Sequence, residues 1–111
     1  MDLEIVGRHV EVTEPMERQI RGELDKLPRY ARMLQYVTVT LDVDSGGQLV
    51  EIVARYPRAD LVVEARGHDM YKCIDEAFAK LERRLKRHHD KLVNGRAREA
   101  QKAAESDRQP E

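Results

Sequence analysis

The chain is poor in the residues that build cofactor pockets, crosslinks and membrane spans. It has no tryptophan, one phenylalanine, four tyrosines and a single cysteine, Cys73, among 111 residues. One cysteine excludes an internal disulfide and fits a reducing compartment. No apolar run approaches the roughly 20 residues that cross a bilayer, and Met-Asp-Leu-Glu at the start lacks the basic and apolar regions of a signal peptide. A soluble, cytoplasmic protein without a membrane is expected. The sequence also lacks a glycine-rich phosphate loop, a nucleophile elbow and carboxylates clustered with a nearby base, so neither an enzyme nor a small-molecule substrate is expected. His88 and His89 are adjacent and point apart on a helix. His9 and His68 fall in loops without Cys or His at ligand spacing, so no metal and no cofactor are expected. Cys73, among apolar helix positions, reads as inert packing.

What the chain has instead is an uneven distribution of charge. The formal net charge is only −1. Residues 1–65 hold 8 Lys or Arg against 12 Asp or Glu, a net of −4, whereas residues 66–98 hold 10 against 5, a net of +5. Residues 99–111 hold 2 against 4, a net of −2. The positive charge is densest in residues 80–91, where Lys80, Arg83, Arg84, Lys86, Arg87 and Lys91 face only Glu82 and Asp90. With few acids at i±4 to neutralise them, these side chains repel one another unless a partner supplies phosphates, which points to a polyanion. No bulky apolar residue interrupts the basic arc, as an interfacial membrane helix would require.

The hydrophobic periodicity supplies the architecture. Leu3 and Ile5 mark a short strand ending at Gly7. Thr13 is a capping hydroxyl ahead of Glu14 and Pro15, and Met16, Ile20, Leu24 and Leu27 form one face of a helix that Pro28 stops. Val37, Val39, Leu41 and Val43 alternate with Thr38, Thr40 and Asp42 as a second strand. Ser45-Gly46-Gly47 turns the chain into Val50, Ile52, Ala54 and Tyr56, and residues 57–60 turn it again into Leu61, Val63 and Ala65. Asp69 caps the last helix, expected over residues 70–92 with a stop at Asn94-Gly95. The order β-α-β-β-β-α predicts an α+β two-layer sandwich, two helices on one face of a four-stranded, mostly antiparallel sheet. One domain over residues 1–95 and a flexible polar tail over 96–111 follow from the composition.

On the last helix, Ile74, Phe78, Leu81, Leu85 and Leu92 make the apolar stripe. With Phe78 as reference and about 100° per residue, Lys80, Arg83, Arg84, Arg87 and Lys91 fall on the opposite arc and Lys86 at its margin, about 80° away. A helix of about 35 Å also outruns strands of about seven residues and roughly 23 Å, so its C-terminal third, with most of the basic residues, is expected to overhang the sheet. Tyr71 reads either as a core aromatic or as a surface for base stacking.

These residues resemble a known family, the ribosome hibernation promoting factors and the related ribosome-associated inhibitor A proteins. The resemblance covers about residues 1–95. It rests on Val12-Thr13-Glu14, Lys26-Leu27, Gly67-His68-Asp69-Met70-Tyr71 with Ile74-Asp75, Lys80-Leu81-Glu82-Arg83-Arg84-Leu85 and His89-Asp90-Lys91-Leu92. It implies a stress and stationary-phase factor that lodges in the messenger channel and the A and P decoding region of the small ribosomal subunit. There it would exclude messenger and transfer RNA and keep the ribosome idle. It further implies that the six basic residues bind ribosomal RNA phosphates, with no role for DNA. Short members divide into those that promote and those that oppose ribosome dimers, and the tail through Glu111 resembles the second kind in length. The competing reading is a general double-stranded RNA-binding or RNA-chaperone module; such domains open with a helix, and this chain opens with a strand. A protein-interaction domain is a third.

Overall fold

The computed structural model describes residues 2–98. Strand β1 (Asp2–Arg8) leads into helix α1 (Glu14–Asp25), then a 3₁₀ turn, η1 (Arg29–Met33), strands β2 (Tyr36–Asp44), β3 (Gly47–Tyr56) and β4 (Ala59–Gly67), and helix α2 (Met70–Arg98). The sheet order is β1-β2-β3-β4, with β1 parallel to β2 and the other two pairings antiparallel. This is the α+β sandwich expected from the periodicity. The single parallel pair follows from α1, a crossover long enough to return the chain to its starting end.

Local chemistry sets the boundaries. The Thr13 hydroxyl accepts from the Met16 amide at 3.3 Å, and Pro15 occupies the first turn of α1, where a missing amide costs nothing. Asp69 Oδ1 accepts from the Tyr71 and Lys72 amides at 3.0 and 3.4 Å and so caps α2. Both hairpins are two-residue turns, Ser45-Gly46 between paired Asp44 and Gly47, and Pro57-Arg58 between paired Tyr56 and Ala59. Gly47 is required: its φ is +128°, and a Cβ there would lie 2.7 Å from the Gly67 carbonyl oxygen.

Alternation along the strands sends Val37, Val39, Leu41, Val50, Ile52, Ala54, Tyr56, Leu61, Val63 and Ala65 to one face of the sheet, all buried. Ile20 of α1 and Met70, Cys73, Ile74, Ala77, Phe78, Leu81 and Leu85 of α2 complete that core. Ala31 and Leu34, in and just after η1, close one end.

Two expectations are corrected. The helix does not stop at Asn94-Gly95; α2 continues to Arg98. Asn and Gly cost up to about 1 kcal/mol each within a helix, and the good helix formers on either side offset that. Strands β2, β3 and β4 are also longer than seven residues, with nine in β2 and β4 and ten in β3. Of the flexible tail expected over residues 96–111, residues 96–98 belong to α2, and the rest lies outside the described residues.

Candidate nucleic-acid interface

Helix α2 runs antiparallel to β4 along the outer edge of the sheet. Four helical residues rise about 6 Å and two strand residues about 6.6 Å, so the elements stay in step. Lys80 Nζ donates to the Glu64 carbonyl oxygen at 2.7 Å, and Arg84 Nη1, one turn on, donates to the Val62 carbonyl oxygen at 3.0 Å. The next turn brings His88 edge-on to the Tyr56 ring, centroids 5.1 Å apart at 84°. Tyr56 ends β3, so the sheet ends at about His88. Of the six basic residues chosen from the sequence, only Lys91 lies in the overhang. The expectation that the overhanging third carries most of the positive charge is therefore wrong, and the extra strand length is the reason.

The six also divide by direction. Arg83, Lys86 and Arg87 are exposed, on the side of α2 away from the sheet. Lys86 shares its charge with Asp90 at 3.3 Å, an i,i+4 pair that is half open to solvent and worth a few tenths of a kcal/mol at most. Lys80 and Arg84 are only partly exposed, their stems lying over β4 and their heads on its backbone. β4 is an edge strand, and these two cations occupy carbonyls that would otherwise face outward unpaired.

Sequence reasoning passed over three further cations. Arg29 and Arg32 stand exposed on η1, and Arg58 stands exposed at the tip of the β3–β4 turn with φ +70°. η1 feeds the start of β2, which pairs with the end of β3 beside the Pro57-Arg58 turn. These three arginines therefore sit at the end of the sheet that the second half of α2 passes, and no carboxylate among the described residues forms an ion pair with them. A non-glycine residue at positive φ is unfavourable and places Arg58 at an exposed tip. Isolated arginines in a linker and a turn carry no periodic signal; a proline followed by arginine in a two-residue hairpin loop was the only cue.

The remaining candidates resolve simply. Cys73 is buried, with its thiol pKa pushed up chiefly by burial. Tyr71 is 43% exposed at the opposite end of α2, so it is not a core aromatic. His9 pairs with Asp42 at 3.0 Å, and this hydrogen bond is the largest of the influences holding the Asp42 carboxyl below its ordinary range. His88 Nε2 is buried with no hydrogen-bond partner among the described residues, and burial, with Lys91 and Arg84 nearby, lowers its pKa. Between the helices, Glu23 is pushed up by burial and by its hydrogen bond with Asp75. Glu23, Asp75 and Glu82 line that groove with Lys26, which gives the inter-helix groove an acidic character distinct from the outer side of α2. Among the described residues no three His, Cys, Asp or Glu side chains are grouped to hold a metal, and no helix is long and apolar enough to cross a membrane.

Residues 3–93 match the family model described as Sigma 54 modulation protein / S30EA ribosomal protein. The chain is 34% identical over 100 residues to a ribosome hibernation promoting factor of Pseudomonas putida, covering 87% of this chain and 98% of that one. It is 33% identical over 92 residues to the protein of the same name from Escherichia coli, covering 83% and 97%. Among solved structures, a ribosomal subunit interface protein from Coxiella burnetii superposes with a TM-score of 0.77 at 18% identity, covering 80% of this chain and 98% of that one. The N-terminal domain of Thermus thermophilus Protein Y superposes with a TM-score of 0.68 at 26% identity, covering 79% and 99%.

Proposed function

The chain belongs to the family of Sigma 54 modulation proteins and S30EA ribosomal proteins, and from that premise we propose that it is a ribosome hibernation factor acting by occupancy. It seats on the small subunit between head and body, fills the messenger channel and the A and P decoding region, and excludes messenger and transfer RNA. Its chemistry is contact with phosphates, and no bond is made or broken. Ribosomes held this way during stress or stationary phase are idle and preserved. Relatives named ribosome hibernation promoting factor at 33 and 34% identity support this reading.

The observation that carries the contact assignment is the split along α2. Arg83 and Arg87 lie on its exposed side and form the centre of the RNA-binding surface, with Lys86 beside them and Lys91 beyond the sheet. Lys80 and Arg84 reach the same partner only at its border, because in the free protein their heads are on the β4 backbone. Arg29, Arg32 and Arg58 extend the surface at the adjoining end. Phosphate contacts of this kind set affinity and its salt dependence without reading sequence, as suits a partner recognised by shape.

Cell-free translation tests the function. A stoichiometric excess of the protein over ribosomes is expected to suppress synthesis, and undiminished synthesis would refute occupancy. Comparing affinity for small subunits with affinity for a plain RNA duplex separates this reading from a general duplex binder, which would show no preference for the subunit.

A further inference from the structure

The second face of the sheet is uncovered by any element among the described residues, and its composition is the reverse of α2. Along the strands, alternate residues point away from the helices and bring seven carboxylates and three arginines to this face, a net charge of −4. Each arginine is already engaged: Arg8 with Asp42 at 3.6 Å, Arg55 with Asp60 at 3.1 Å and Arg66 with Asp44 at 3.6 Å. Of the four carboxylates that remain, Asp2 and Glu4 lie on the outer strand β1, where Glu4 accepts from the Tyr36 hydroxyl at 2.8 Å, while Glu51 and Glu64 are paired directly across β3 and β4 near the middle of the face, with no cation on either among the described residues. Like charges placed directly opposite each other in a sheet are destabilising, and an added cation between them removes that cost. The next row on the same face is Thr38, Val53 and Val62, and Val62 is 45% exposed.

We propose that this open face docks a basic, extended polypeptide segment, with a lysine or arginine over Glu51 and Glu64 and an aliphatic side chain over Val53 and Val62. The spacing fits. Rows two residues apart on a strand are separated by about 6.6 Å, which is also the spacing of alternate side chains on an extended chain laid along it. The charge excludes nucleic acid, whose phosphates this face repels, and selects a protein segment of the kind that RNA-associated proteins carry as basic arms. The proposal deepens the ribosome reading and rests on it for the setting. RNA meets the α2 side, and a basic protein segment of the same particle meets the sheet.

The test uses a dye-labelled 12-residue peptide, three repeats of Lys-Ser-Val-Ser, which presents lysine and valine alternately on one side. Fluorescence anisotropy at low salt is expected to show binding to the full chain that Glu51→Gln with Glu64→Gln weakens roughly tenfold. Arg83→Glu with Arg87→Glu should leave it unweakened. Amide shifts on peptide addition should centre on Thr38, Glu51, Val53, Val62 and Glu64. The Gln variant should melt no lower than the unchanged chain, because it removes a repulsion, so lost binding is not lost folding. No binding, equal binding by the Gln variant, or shifts confined to the inter-helix acids Glu23, Asp75 and Glu82 would each overturn the proposal. Pelleting of the unchanged protein with small subunits is scored separately. If it pellets and the peptide fails, only the docking face is wrong; if the peptide binds and nothing pellets, the ribosome reading is wrong.

Discussion

The two sides of α2 carry the same kind of residue for opposite purposes. On the flank facing β4, Lys80 and Arg84 stand one turn apart and spend their donors on the Glu64 and Val62 carbonyls. On the outer side, Arg83 and Arg87 stand one turn apart and face solvent. The inner pair closes a sheet edge that would otherwise invite another strand, and the contact proposed with a polyanion falls to the outer pair. Charge alone does not distinguish these roles; what does is the angle each residue makes with the buried stripe.

The strongest way to break that distinction is to remove the stripe itself. Phe78 is fully buried between the helices and the sheet, and Phe78→Ala should cost about 3 to 5 kcal/mol. Denaturant unfolding measures this, and an unchanged midpoint would mean that α2 is not oriented by its apolar face. Next in size is the outer pair. Arg83→Glu with Arg87→Glu should abolish most small-subunit binding at moderate salt while the melting temperature stays within a degree or two of the unchanged chain, by the small cost typical of exposed substitutions.

The inner pair gives the converse. Lys80→Gln with Arg84→Gln should destabilise by about 1 to 2 kcal/mol, as two partly exposed charged hydrogen bonds to backbone would, and raise the tendency to self-associate through β4. Its effect on subunit binding should be the smaller of the two. Thermal melts and sedimentation velocity read both consequences.

The smallest expected effect sharpens the comparison at the point where α2 leaves the sheet. Burial and nearby cations lower the His88 pKa, so the unfolded chain binds the proton more readily than the folded one. Stability should be full above the ordinary histidine value and fall as pH drops through it and below, down to the lowered folded value. Melting at pH 7.5 and 5.5 should show this loss, and His88→Phe, which keeps a ring against Tyr56, should reduce it. Equal pH dependence in the variant would remove His88 from that role.

Much of this was legible in the chain. Strict alternation in β2, β3 and β4, the Thr13 and Asp69 caps and the two turns give the fold directly, because period and capping are local properties. The direction of the basic residues was less so, because the helix was oriented on Phe78. With the buried Met70, Cys73 and Ala77 included, the centre of the stripe lies about 60° from Phe78 toward β4. Arg84 then lies on the flank, and His88 within about 20° of the centre. Cys73 reads as packing from its apolar neighbours, and its burial turns the stripe toward β4. Strand length was the other gap: Gly47, Gln48 and Gly67 extend the sheet without any apolar signal, since edges and ends of strands are held by backbone pairing. Arg58 depended on a turn geometry that arginine seldom adopts.

The central claim is that the outer side of α2 holds the ribosome through phosphates and the inner side holds the sheet. Co-sedimentation with purified small subunits over a range of salt, for the unchanged chain, the Arg83/Arg87 double reversal and the Lys80/Arg84 double neutralisation, tests it most directly. Binding should weaken with salt, with a logarithmic slope that shrinks by roughly 0.7 to 0.9 for each phosphate contact removed in the outer variant and changes less in the inner one. An outer variant that pellets with the affinity and salt slope of the unchanged chain would contradict the account.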